Sequence, residues 1–169
     1  CVEVGITRFV QISALGDPRD GAFVASKHRG DAGLLALPLS AVVLRPSVVY
    51  AAEGSYGGTS LLRALAALPF GVWLPGDGHW AMQPLAAQDL AELVVRALES
   101  DATGVFEAGG PTLALRDYQR EWRHWLRIPG THDIRVPQWL ASLHVSVADR
   151  LGHGPMSATI WRMLKRGTV

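Results

Sequence analysis

Cysteine is nearly missing from these 169 residues: Cys1 is the only one. One thiol cannot build an internal disulfide framework or a multi-cysteine metal site, and it fits a reducing, cytoplasmic setting. An excess of one charge is missing too. Sixteen basic residues balance fifteen acidic ones for a net charge of +1. No run of like charges occurs, so neither nucleic acid nor an anionic membrane surface is an expected partner. No stretch reaches the ~20 uninterrupted apolar residues of a membrane span, and the most apolar region, 64–75, is broken by Pro69.

The usual short motifs are absent as well. There is no Gly-x-Gly-x-x-Gly, no Gly-Lys-Ser/Thr phosphate loop and no Gly-x-Ser-x-Gly elbow. The six histidines do not pair at metal-ligand spacing, so no metal is expected. Gly54, Gly57 and Gly58 have no Lys or Arg among them and read as a flexible loop rather than an anion nest. The chain opens on Cys1-Val2-Glu3, without an initiator methionine, a basic n-region or an apolar h-region. It is therefore expected to be a fragment or a processed product, not a secretory precursor.

What is present is apolar and ordered. At 49% apolar the chain can bury a sizeable core, and its length favours one domain. Residues 8–15 read as a buried strand closed by Gly16-Asp17-Pro18, and 21–37 as a helix with Phe23, Lys27, Gly30 and Leu34 on one face. Residues 41–44 form a continuous apolar run, typical of a parallel strand covered on both faces. A short helix follows at 59–68, then strands at 71–75 and 82–87. Asp89 is the expected cap of the next helix, with Glu92 reciprocal and Leu90, Leu93, Val94, Ala97 and Leu98 as its stripe. A strand at 104–110 ends in glycines.

The last third reads as helical. Leu115, Tyr118, Trp122, Trp125 and Leu126 form one stripe, Leu140, Leu143, Val147 and Leu151 another, and 156–165 a final segment. The order implies an α/β sheet with an appended helical subdomain.

Three positions can converge on one crevice: Ser13 ending a strand, Lys27 on the next helix, and Pro46-Ser47-Val48 ending the following strand. In open α/β sheets ligands bind outside the carboxyl ends of the strands. A lysine there can hold ribose hydroxyls, and its charge lowers the pKa of a neighbouring acid. By spacing alone the plainer reading is a surface lysine and a serine that closes a strand.

Several segments together resemble a known family. They are Val10-Gln11-Ile12-Ser13-Ala14-Leu15-Gly16, then Ala25-Ser26-Lys27 with Gly30-Asp31, then Leu44-Arg45-Pro46-Ser47-Val48-Val49-Tyr50. Pro75-Gly76-Asp77-Gly78, Gln83-Pro84-Leu85, Asp89-Leu90-Ala91 and Glu107-Ala108-Gly109-Gly110-Pro111 continue the series. In this order they resemble the extended or atypical short-chain dehydrogenase/reductases. The branch they look most like holds the NAD(P)-dependent epimerase/dehydratase-like proteins related to the nucleotide-binding accessory subunit of respiratory complex I.

The resemblance covers the chain to about Pro111 and weakens afterwards. It implies the C-terminal half of a Rossmann-like doubly wound parallel sheet with an appended, mostly helical substrate subdomain. Residues 1–50 would be a partial core and 51–169 the remaining sheet elements and the subdomain. The missing N-terminal half would carry the glycine-rich fingerprint and, on its second strand, the residue that selects the 2′ group, so NAD cannot be told from NADP here.

The same resemblance implies roles. Ser13 would be the catalytic serine, Lys27 the nicotinamide-ribose lysine, and Ser13, Lys27, Pro46, Ser47 and Val48 the cofactor set. Tyr50, Tyr56, Gly57, Trp80 and Gln83 would face a small-molecule substrate. The family's Tyr-x-x-x-Lys pair reads Phe23-Val24-Ala25-Ser26-Lys27 here. Phenylalanine has no proton to give, so proton-relay chemistry is in question. The competing expectations are an atypical reductase or epimerase, a catalytically inactive NAD(P)-sensing or assembly module, and a chain that does nothing without its other half.

Overall fold

Apolar residues in unbroken runs demand cover on two sides, and the central strand of this molecule has it. The computed structural model describes residues 2–54, 58–130, 132–137 and 139. The predicted stripes from Leu140 to Leu151, the segment 156–165, Tyr56 and Gly57 lie outside them.

In chain order the elements are β1 (Arg8–Ile12), α1 (Ala22–Leu35), β2 (Ser40–Pro46), β3 (Val49–Tyr50), α2 (Gly58–Ala66), β4 (Val72–Pro75) and β5 (Ala81–Met82). Then follow β6 (Leu85–Ala86), α3 (Ala87–Glu99), β7 (Gly104–Ala108), β8 (Leu113–Ala114), α4 (Leu115–Trp125) and β9 (Asp133–Val136). The chain divides into two units: Cys1–Ala51 with Gln83–Pro111, and Ala52–Met82 with Thr112–Val169.

The first unit is built on a three-stranded parallel sheet in the order β1-β2-β7. Val10, Val42 and Leu44 point to one face and pack with Leu90, Leu93, Val94 and Ala97 of α3. Gln11, Ser13 and Arg45 point to the other face, where each reaches Asp31 of α1. A helix therefore covers each face, as a parallel sheet requires. Residues 83–111 belong with this unit because β7 pairs with β2 and α3 fills the core beneath it. β3 and β6 form a separate parallel pair.

The second unit pairs β4 with β9 in parallel and β5 with β8 in antiparallel. Its centre is α4, whose Leu115, Tyr118 and Trp122 are buried. Trp122 makes edge-to-face contacts with Tyr118 and Trp125, and Arg63 of α2 lies 5.4 Å from the Trp122 ring centre. Arg123 is fully buried and donates to four carbonyls: Gly130 from Nε (2.6 Å), Ala66 and Leu68 from Nη1 (2.7 Å each) and Pro129 from Nη2 (2.6 Å). Ala66 ends α2, so the guanidinium meets the negative end of that helix.

Several local expectations are corrected. α3 begins at Ala87 with Ala86 as its uncapped N-cap, so Asp89 lies within the first turn and Glu92 pairs with Arg96 instead. The strand expected over 82–87 is two short ones, β5 and β6, interrupted at Gln83-Pro84 because proline has no N–H for a ladder. Leu98 and Trp125, expected on buried stripes, are exposed. β9 lies in a stretch expected to be helical, where tertiary pairing to β4 prevails over local propensity.

Candidate functional site

The site begins with a turn. After β1 the chain passes Gly16, at φ 138°, a backbone conformation that side chains rarely adopt. Asp17 then caps the turn at Pro18–Asp20 in a reciprocal capping box with Asp20. α1 starts behind it and buries Val24 and Asp31. Phe23 and Lys27 precede Asp31 by eight and four residues and so share its side of the helix. Phe23 is 57% exposed, while Lys27 is half-buried. Among the described residues, Lys27 has no hydrogen-bond or ion-pair partner.

Asp31 is the fixed point. It is 1% exposed, and its carboxylate accepts from Gln11 Nε2 (2.6 Å), Ser13 Oγ (2.9 Å) and Arg45 Nε (3.0 Å). Arg45 Nη2 adds an ion-pair contact at 2.9 Å. Burial pushes the Asp31 carboxyl up; the hydrogen bonds from Ser13, Arg45 and Gln11, with the Arg45 charge, outweigh it and hold the group below the usual carboxylate range. The network ties the side of α1 that carries Lys27 to the carboxyl ends of β1 and β2. A hydroxyl has one proton, and that of Ser13 is engaged by Asp31.

The predicted cofactor and substrate positions divide between the units. Pro46 ends β2 and is buried, and the Ser47 N–H donates to Ala108 O at 2.8 Å. The carbonyl of Val48 accepts from Leu85 N at 2.9 Å, leading into β3 with Tyr50. Gln83 lies against Gly109, where a Cβ would meet its Oε1 at 2.8 Å. All of these, with Ser13, Phe23 and Lys27, belong to the first unit. Trp80 belongs to the second, and its carbonyl accepts from Leu115 N at 2.9 Å.

Sequence reasoning gave Asp31 and Arg45 no role. The signal was there: a carboxylate one helical turn after Lys27, and an arginine at the end of an otherwise apolar strand. Among the described residues no group of His, Cys, Asp or Glu can hold a metal ion, and no helix is long and apolar enough to cross a membrane.

No family model matches the sequence, and no curated protein matches it. Solved structures do match the fold, and among them are sugar-nucleotide epimerases and a dehydratase. UDP-glucose 4-epimerase from Thermotoga maritima, solved with UDP-glucose, is 15% identical over 80% of this chain and 52% of its own, with TM-score 0.63. The Thermus thermophilus UDP-glucose 4-epimerase complex with NAD is 19% identical over 81% and 53%, with TM-score 0.61. dTDP-glucose 4,6-dehydratase from Bacillus anthracis, also with NAD, is 20% identical over 76% and 49%, with TM-score 0.58. The chain spans about half the length of these structures. The α/β fold is that of the epimerase/dehydratase structures.

Proposed function

We propose that this chain supplies the nicotinamide end of an NAD(P) site in an epimerase- or oxidoreductase-like protein, the other end lying on a further α/β half. The observation that carries it is Lys27: a half-buried lysine with no hydrogen-bond or ion-pair partner among the described residues, one helical turn before Asp31, whose network reaches the carboxyl ends of two parallel strands. Lys27 would hold the ribose hydroxyls, and Pro46, Ser47 and Val48 would line the nicotinamide. The pyrophosphate end does not fit this chain, which has no glycine-rich strand-to-helix loop. Bound nicotinamide supplies hydride exchange. The chain itself supplies position and charge. A small-molecule substrate would sit on the side of Tyr50 and Gln83.

A second reading, a non-catalytic NAD(P)-sensing or assembly module, is favoured by two observations together. Phe23 has no hydroxyl where a proton donor is needed, and the Ser13 hydroxyl already donates to Asp31. Neither of the two residues at the catalytic positions is then free to give a proton to a carbonyl oxygen.

Titration with NADH and NADPH tests the cofactor reading in a polypeptide that carries both halves. Lys27→Ala is expected to weaken binding at least ~10-fold, about 1.4 kcal/mol; equal affinity for variant and wild type would sink it. Hydride transfer by the wild type to any of a panel of carbonyl substrates would exclude the module reading.

A further inference from the structure

The described residues include two non-glycine residues in the left-handed backbone region, Phe70 at φ 71° and Arg127 at φ 57°, and both belong to the second unit. Glycine takes this conformation freely, whereas phenylalanine and arginine hold it under strain. Arg127 stands just past the C-cap of α4, the position at which glycine most often ends a helix. Phe70 stands in the turn between α2 and β4, directly before Gly71. Neither side chain offsets its strain by burial, since both are exposed, Phe70 at 77%.

The two strained segments are tied to each other. Arg123 donates to Ala66 O and Leu68 O on one and to Pro129 O and Gly130 O on the other. Trp73 Nε1 adds a bond to Pro69 O at 3.1 Å. The turn so held presents Ala67, Leu68, Pro69 and Phe70 consecutively to solvent. Trp125, at the end of α4, is 54% exposed and lies 6.0 Å from the Arg63 guanidinium. Charge in this region has one sign. Residues 64–76 and 122–132 contain no Asp or Glu, while His124 and Arg127 are exposed among them.

We infer that this part of the second unit is a docking surface for an anionic lipid bilayer. Leu68, Phe70 and Trp125 enter the interfacial layer, and Arg127 and His124 meet the lipid phosphates. The net charge of +1 predicts no such partner; the sorting of charge by position does. Two features favour a bilayer over a macromolecule with a fixed shape. Phe70 protrudes from a turn, and a fluid interface yields around a protruding ring without needing a matching pocket. Its flank of Leu68 and Pro69 suits acyl chains, whereas single-stranded nucleic acid seeks aromatic platforms along a basic groove. Tryptophan beside arginine is the usual composition of a membrane-water boundary. The contact lies on the surface, and it is independent of the cofactor reading.

Flotation of the 169-residue chain with lipid vesicles tests it. Vesicles of equal phosphatidylglycerol and phosphatidylcholine are expected to bind at least ~10-fold more tightly than phosphatidylcholine alone, an advantage largely lost at about 0.5 M salt. Phe70→Gly and Arg127→Gly are each expected to weaken that binding ~10-fold. Their thermal midpoints should stay at or above the wild-type value, because glycine suits the left-handed backbone. Phe106→Ala, which removes an exposed ring from the first unit, should leave binding unchanged.

Equal binding to both kinds of vesicle, or to neither, overturns the inference. Lowered midpoints in both glycine variants overturn it too, because the two side chains would then serve the fold. Self-association that Phe70→Gly abolishes, without vesicle binding, gives the surface to a second copy of the chain instead. Saturable binding of oligouridine that the same variants lose, again without vesicle binding, gives it to single-stranded nucleic acid.

Discussion

At the scale of single residues, Asp31 is the anchored group of the candidate site and Phe23 an exposed one. Asp31, itself buried, gathers Gln11, Ser13 and Arg45 in a part-buried cluster. Asp31→Ala leaves the Arg45 charge without its partner, at an expected cost of about 3 kcal/mol in urea unfolding. The carboxyl is held below its ordinary range when folded, so its contribution is present above about pH 4 and is lost as pH falls through the lowered value. Stability measured from pH 7 to 3 is expected to fall less steeply in Asp31→Asn than in the wild type; equal slopes would show that the network does not bias the carboxylate. Phe23 is exposed, so Phe23→Tyr should change stability by less than about 0.5 kcal/mol and leave nucleotide affinity unaltered.

At the scale of elements, the two units are fastened by different chemistry. In the first, β7 ends where Gly110 meets the strand-end segment so closely that a Cβ would lie 2.0 Å from Pro84 O. Gly110→Ala must move backbone rather than a side chain, and an overpacked contact of this kind is expected to cost about 2 kcal/mol. A thermal unfolding midpoint unchanged within error would refute that tight approach. In the second unit a single guanidinium fixes α2, α4 and the segment at Pro129–Gly130. Arg123→Met keeps the bulk but orphans four carbonyls, for an expected loss of at least about 3 kcal/mol. Arg123→Lys should recover only part of it, since three donors cannot reproduce the fork. Full recovery by lysine would mean that charge, not geometry, holds the element.

At the scale of the whole molecule, the absence of a phosphate cradle governs the outcome. This chain alone is expected to bind NADH and NADPH more weakly than ~100 μM, because the pyrophosphate supplies much of a dinucleotide's fixed charge and nothing here is built to receive it. Isothermal titration decides it, and low-micromolar binding by the isolated chain would contradict the two-half reading. The same deficit appears in the sheet. Among the described residues the three parallel strands bury Ala41–Leu44 of the middle strand but leave β1 part-buried and most of β7 exposed.

The sequence by itself determined the elements whose signal is local. The apolar run at 41–44, the Gly-Asp-Pro turn and the helix around Lys27 were all legible, because short-range sterics and periodicity set them. Tertiary structure decided what depends on partners distant in the chain. It buried Asp31 against a part-buried Arg45 and turned the Ser13 hydroxyl onto that carboxylate, and it exposed Phe23 and Ile12. It also divided residues 82–87 into two strands of different sheets, and paired β9 with β4 where local pattern favoured helix. A side chain's hydrogen-bond partner and its burial are properties of the packed neighbourhood, and no window of sequence contains that neighbourhood.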